Sequence, residues 1–287
     1  MNERIMLSSD TDADEQGAGS TGAQTEYMKS LRAGLRVLLE FERGPRDLGV
    51  TDIAKRCGLS KSQVSKMLSA LIDSGLLEQD PITRTYHIGR RCYILGSRFT
   101  TYDSLCQAAT PVMRALLNRT GHSVRLSVLH GDQSLYLIGL EGPHFVDTGW
   151  RSGNCVPIGA SSAGRVMMAF MDAAERQRLL DLPIPALTSD TITDHDRVAH
   201  IVEEAGRAGF AVQRNESTIG LGVISVPLFK ADQEVVGALG LAFPSHLIEQ
   251  RDEPLLIKEL HDAARAISQR LGCAVYPIRS HVPTTTA

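Results

Sequence analysis

Three groups of polar residues in this chain are spaced for recognition rather than for making bonds. In "SKSQVSKMLSALIDSG" (60–75), Lys61, Ser62, Ser65, Lys66 and Ser69 share one helical face, with Gln63 at its N-terminal edge, and no acidic residue occurs in 61–72. A helix fits the major groove of B-DNA, where Ser and Gln can read base edges and Lys suits phosphate or guanine. The alternative is a solvated face or a protein contact. In "HSVRLSVLH" (122–130), Ser123, Arg125 and Ser127 alternate onto one strand face, and Val124, Leu126 and Val128 onto the other. An arginine among small hydroxyls is a carboxylate anchor, because its fork binds both oxygens at once. The alternative is an arginine on the solvent face of a sheet. "GASSAG" (159–164) precedes a helix, so backbone N–H groups and the hydroxyls of Ser161 and Ser162 can meet an anion there, or simply cap the helix.

Bond-making chemistry finds little support. The serine-hydrolase elbow G-x-S-x-G fails at Ala163 in "GASSA", and Gly220-Leu221-Gly222 precedes a strand rather than a helix. Paired carboxylates, a phosphate loop and H-E-x-x-H are absent. The five cysteines are odd in number, widely spaced and without C-x-x-C, which fits small buried side chains in a reducing compartment. No catalytic residue, cofactor or metal is expected.

The elements that must hold these residues follow from apolar period and punctuation. The 287 residues make about two domains the natural reading. Residues 1–26 are polar and acidic, and are expected to be a disordered tail. "MKSLRAGLRVLLEFERG" (28–44) puts Leu31, Leu35, Leu38 and Leu39 on one helical face. Thr51 opens a short helix that Gly58 closes; Ser60 caps the next, which buries Val64, Met67, Leu68, Leu71 and Ile72. "LLEQDPITRTYHIG" (76–89) reads as a hairpin, with strand alternation over Thr83–Ile88. Helix, helix, tight turn, helix and hairpin make a winged helix-turn-helix over 27–90, whose wing offers Arg84 and Thr85 to phosphates. A linker helix follows over 91–109, its Tyr93, Leu95 and Phe99 forming a candidate dimer contact, and Pro111 starts a further helix. Strands at 122–130, 134–141, 144–150, 210–213, 223–229 and 234–243, with helices between, make an α+β domain over 110–275. Residues 276–287 are expected to be a flexible tail.

Charge is distributed to match. The net charge is −3, but segments 1–26, 27–100 and 101–287 carry −5, +6 and −4. A basic block between acidic ones points to a polyanion partner. No apolar run reaches the roughly 18 residues of a membrane helix and no secretory signal is visible, so a cytoplasmic protein without a membrane partner is expected.

With these residues placed, the chain resembles the IclR family of bacterial transcription regulators from about Lys29 to Gly272. The resemblance is carried by "SLRAGLRVLLEF", "TDIAKRCGLSKSQVSKMLSALIDSGLL", "YHIGRRCYILG", "VPIGASSAGRVMMAFM" and "GFAVQRNESTIGLGVISVPLF". Ala33 stands where such proteins usually carry arginine, and 214–217 is less acidic than in many. The resemblance implies an N-terminal winged helix-turn-helix joined by a linker helix to a GAF-like effector-binding domain. It implies a small organic effector, commonly a carboxylic acid, operator DNA as partner, and dimers or tetramers. It places the pocket near 159–164, with Gln213, Asn215 and Ser225 beside it. Trp150 can wall that site or serve the core. The rival reading is a GAF-like domain enzyme or a thiol-based sensor in which Arg151 activates Cys155.

Overall fold

The computed structural model describes residues 18–43, 45–143 and 152–278. They fall into two compact units, divided between Phe99 and Thr100.

In the first unit, α1 (Ala18–Arg43), α2 (Val50–Cys57) and α3 (Lys61–Asp73) precede a two-stranded hairpin, β1 (Leu77–Gln79) and β2 (Tyr86–Ile88). α2 is capped by Gly49 rather than Thr51, and Gly58 at φ 64 ends it in the left-handed conformation. Leu59 then leads into Ser60, the N-cap of α3. Val37, Leu48, Ile53, Val64, Leu68, Leu77 and Tyr86 form the core. α1 departs from expectation twice. It begins at Ala18, inside the segment read as a tail. It turns Val37 inward, while Leu31, Leu35 and Leu39 are exposed. The apolar period is helical as expected, but among the described residues most of that face stays exposed. The hairpin is shorter than its alternation suggested, with Thr83, Arg84 and Thr85 in the turn. The Asp80 carboxylate accepts from the Ile82 and Thr83 backbone N–H groups, and these bonds hold its pKa below the usual carboxylate range. Leu48 pairs with Tyr86 and fastens the chain before α2 to the wing.

α4 (Arg90–Tyr102) and α5 (Ser104–Thr120) replace the expected linker helix over 91–109. The break is at Asp103, whose carboxylate caps α5 by accepting from the Cys106 N–H. Pro111 lies inside α5 and does not begin a helix.

Among the described residues the second unit has six antiparallel strands: β3 (Ser123–His130), β4 (Gln133–Leu140), β5 (Cys155–Pro157), β6 (Ala211–Arg214), β7 (Leu221–Phe229) and β8 (Val235–Pro244), in the order β5-β4-β3-β8-β7-β6. α5 and α9 (Glu253–Arg270) share one apolar core with the sheet, and α6 (Ser162–Ala169), α7 (Ala173–Leu180) and α8 (His195–Ala208) build further clusters. The strand expected over 144–150 lies outside the described residues, and β5 is a strand that sequence pattern missed. The final segment is also packed: Tyr276 is buried against Phe229 and His261, so chain order extends past the expected boundary at 275. Among the described residues no helix is long and apolar enough to cross a membrane.

Candidate functional site

The first candidate surface is α3 and the wing. Val64 and Leu68 anchor α3 in the core, which leaves Lys61, Ser62, Gln63, Ser65 and Lys66 exposed. Ser60 Oγ accepts from the Gln63 N–H, and Gln63 Oε1 accepts from the Ser60 N–H at 3.1 Å, a reciprocal capping box. Gln63 is therefore a structural residue as well as a candidate reader. Arg84 is exposed at the wing tip with φ 61, a left-handed conformation uncommon for arginine, and Thr85 is half-buried beside it.

The second candidate site is a cavity of about 50 Å³ in the sheet domain. Its floor comes from strand register. Gly139 of β4, Arg125 of β3, Gly240 of β8 and Ser225 of β7 lie side by side across four strands. Directly paired residues point to one face, so the glycines on either side of Arg125 leave lateral space around its side chain. At Gly139 that space is taken by Tyr136, whose hydroxyl a Cβ there would overlap. The Arg125 guanidinium lies over the Tyr136 ring, 5.1 Å from its centroid.

Arg125 is the unsettled group of the site. Its Nε is buried and without a hydrogen-bond partner. Burial pulls its pKa below the ordinary guanidinium range, and Tyr136 and Glu141 draw it partly back. A desolvated cation with an unpaired donor is stabilised by an anion. The opposite wall is the start of α6, where Ser161 Oγ accepts from the Gly164 N–H, Ser162 N–H donates to Gln213 Oε1 at 2.5 Å, and the Ser162 and Ser225 hydroxyls pair at 2.9 Å. Gln213 Nε2 donates to Ser217 Oγ.

Arg125, Ser127, Ser161, Ser162, Gln213 and Ser225 thus come together around one cavity. Asn215 does not line it. It sits at φ 61, its side chain accepts from the Gly220 N–H, and its role is to hold the 215–220 turn. Trp150 lies outside the described residues, as does Arg151, the cation that the thiol reading requires. Cys155 is half-buried on β5 and is not among the cavity's lining residues. Burial pushes the Cys106 thiol up to about 12, away from reactivity.

Sequence reading missed Ser134, Tyr136, Ser217 and Gly240 in the lining. It also missed Arg165, fully buried in α6, whose Nη1 and Nη2 donate to Glu216 at 3.0 and 2.6 Å while its Nε donates to the Gly159 carbonyl. That pair ties the loop before α6 to the loop after β6. The available signal was a charge on an otherwise apolar helix, in "GRVMMAF".

Comparison with known proteins sets this architecture among transcription regulators. The family model described as bacterial transcriptional regulator IclR C-terminal matches residues 99–269, and that described as the IclR helix-turn-helix domain matches residues 30–81. The HTH-type transcriptional regulator XynR of Escherichia coli is 26% identical over 85% of this chain and 98% of its own length. The glycerol operon regulatory protein of Streptomyces coelicolor is 27% identical over 85% and 97%. Among solved structures, an IclR transcriptional regulator from Alicyclobacillus acidocaldarius superposes with a TM-score of 0.75 at 26% identity, covering 85% of this chain and 99% of that one. An IclR homolog from Microbacterium hydrocarbonoxydans, complexed with 4-hydroxybenzoate, superposes with a TM-score of 0.70 at 25% identity, covering 84% and 98%. These relatives are regulators, not enzymes. With a helix-turn-helix unit and a C-terminal effector domain in the same order, the chain belongs to the IclR family of transcriptional regulators.

Proposed function

We propose that this regulator changes its affinity for operator DNA when a small carboxylate docks on Arg125. The observation that carries this reading is the buried, unpartnered Nε of Arg125 in a cavity bounded by serine hydroxyls and the start of α6. A carboxylate would satisfy that donor and offset the cost of desolvating the guanidinium. Ser161, Ser162, Ser225 and Gln213 shape the wall against which it rests, and Ser127 adds a hydroxyl. That another member of the fold holds a benzoate derivative is consistent with an acid ligand.

On the DNA side, Lys61, Ser62, Gln63, Ser65 and Lys66 enter the major groove, and Arg84 and Thr85 hold phosphate from the wing. The support is the exposure of these side chains on a helix whose opposite face is core. The protein acts in the cytoplasm as a homodimer or a tetramer. The large exposed side chains of α4, Tyr93, Ile94, Leu95, Phe99 and Tyr102, support self-association. The test is calorimetric titration of wild type and Arg125→Ala with small carboxylic acids. Wild type should bind one of them and the variant should lose it; equal affinity in both would return Arg125 to a structural role.

A further inference from the structure

Arg125 accounts for one end of a ligand, and two other groups describe the rest of it. Ser127 and Ser134 are buried side chains that line the same cavity, and neither hydroxyl has a hydrogen-bond partner among the described residues. Each hydroxyl opens onto the cavity and can both donate and accept there, so a bound molecule with matching groups can pair with the two of them. Their placement sets the spacing. Ser127 is two residues from Arg125 along β3, roughly 7 Å on the same face. Ser134 is diagonal to it on β4, because Ser127 pairs with Tyr136 after the register shift at Leu126/Ser127. The cationic end of the cavity is thus followed by two donor–acceptor groups in a row.

The walls argue against a flat ring. The apolar lining is Val156, Ala163 and Val223, small side chains without a stacking face. The ring that could stack, Tyr136, already carries the Arg125 guanidinium on its face. A benzene ring here would set C–H edges against the two serine hydroxyls and leave both unpaired.

Building on the proposal that Arg125 anchors a carboxylate, we infer that the effector is a short aliphatic hydroxy acid, its carboxylate on Arg125 and its hydroxyls on Ser127 and Ser134. This chemistry differs from the aromatic acid seen in the Microbacterium protein. Each hydroxyl both donates and accepts, as serine does, so the two sets match without a further charge. The glycine at 240 keeps the floor open beside the ligand, since a Cβ there would stand 3.1 Å from Ser225 Oγ.

The experiment is calorimetric titration of the full-length protein with glycerate, propionate, glycerol and 4-hydroxybenzoate, repeated on Ser127→Ala, Ser134→Ala and Arg125→Ala. Glycerate should bind best in the wild type. Each serine variant should weaken glycerate roughly tenfold and leave propionate unchanged, because only glycerate loses a hydrogen bond. Arg125→Ala should weaken both acids, and glycerol should not bind. The hydroxy-acid assignment is overturned if 4-hydroxybenzoate binds as tightly as glycerate, if no member of the panel binds, or if the serine variants treat glycerate and propionate alike. In that last case an Arg125→Ala loss for both acids preserves the carboxylate anchor; without that loss the anchor reading falls as well.

Discussion

Gln63 has two jobs open to it and one side-chain oxygen to do them with. In the capped helix Oε1 accepts from the Ser60 backbone, leaving Nε2 as a donor. A bidentate adenine contact needs both atoms, so the capped side chain can only donate, as to a guanine or thymine oxygen. Gln63→Glu should keep the cap, remove the donor and bring a negative charge toward phosphate. Its melting temperature should stay near wild type while operator affinity falls by about tenfold or more. Gln63→Ala should in addition lose ~1 kcal/mol of stability with the cap. Melting curves beside fluorescence anisotropy check this, and operator affinity unchanged in the glutamate variant would leave Gln63 a cap alone. His261 is a second residue with a measurable consequence. Tyr276 donates its hydroxyl proton to the Pro227 carbonyl, so the His261 Nδ1–H must be the donor in the 3.1 Å contact between the two side chains. Burial, then the Arg265 charge, lowers its pKa from 6.5 to about 4. The unfolded chain therefore binds the proton more readily between these values, and stability rises with pH across that window. Stability should be complete above about 6.5 and decline as pH falls toward 4, by roughly 3 kcal/mol at ~1.4 kcal/mol per pH unit. Urea titrations should show His261→Phe with a shallower acid slope; a slope equal to wild type would assign the loss to other groups.

Between elements, the contacts that shape the cavity join segments far apart in sequence. Arg165 and Glu216 are 51 residues apart and both buried. Thr191 donates to the Glu216 carbonyl, which stiffens the same loop. Glu216→Gln leaves a buried guanidinium without its counter-charge and should cost about 3–5 kcal/mol. The double variant Arg165→Met, Glu216→Leu should cost less than that single one, because no charge is stranded; a thermal melt ranks them, and a larger loss in the double variant would contradict a desolvation origin. Gly240→Val tests the floor: its side chain should fill the space beside Arg125 and Ser225, abolishing effector binding while operator affinity persists. Retained effector affinity would show that the ligand sits elsewhere. What could be read from sequence was local. Gly58, Gly121 and Gly209 close their helices in the left-handed conformation, and each advertises itself at the end of an apolar stripe. Arg125 and Ser127 were legible because alternation along one strand fixes a shared face. Tyr136 and Ser134 required the register of a second strand, and that register contains a bulge. Gly240 required a third strand more than a hundred residues on. Pro111 was misread because proline usually opens a helix, whereas here α5 carries it inside.

At the scale of the whole molecule, the proposed switch requires a cavity in one unit to alter DNA binding by the other. The exposed apolar residues of α1 and α4 give the first clue. Leu31, Leu35 and Leu39 keep helical spacing and are exposed on α1, and on α4 Leu95 and Phe99, four residues apart, are exposed on one face, with Tyr93 exposed as well. A second copy would bury both, and paired helix-turn-helix units read two half-sites with the specificity that one unit lacks. Light scattering at micromolar concentration should give at least a dimer mass; a monomer that still binds operator would rule this out. In the proposed dimer, effector and operator act on the same arrangement of two DNA-binding units, and the coupling between them must then be reciprocal. A coupling of about 1–3 kcal/mol changes operator affinity roughly 5- to 150-fold, and the operator changes effector affinity by the same factor. Titrating the effector with and without operator DNA, and the operator with and without effector, measures that factor twice. Arg125→Ala should remove the response while leaving effector-free operator affinity within about twofold, since Arg125 lies in the sheet domain and the reading helix is in the other unit. Arg125→Lys should restore the response only in part, because an ammonium cannot span both carboxylate oxygens. Two unequal factors in the wild type would mean that the effector and the operator do not share one conformational equilibrium. A response that survives in Arg125→Ala would mean that the signal enters the protein at another site.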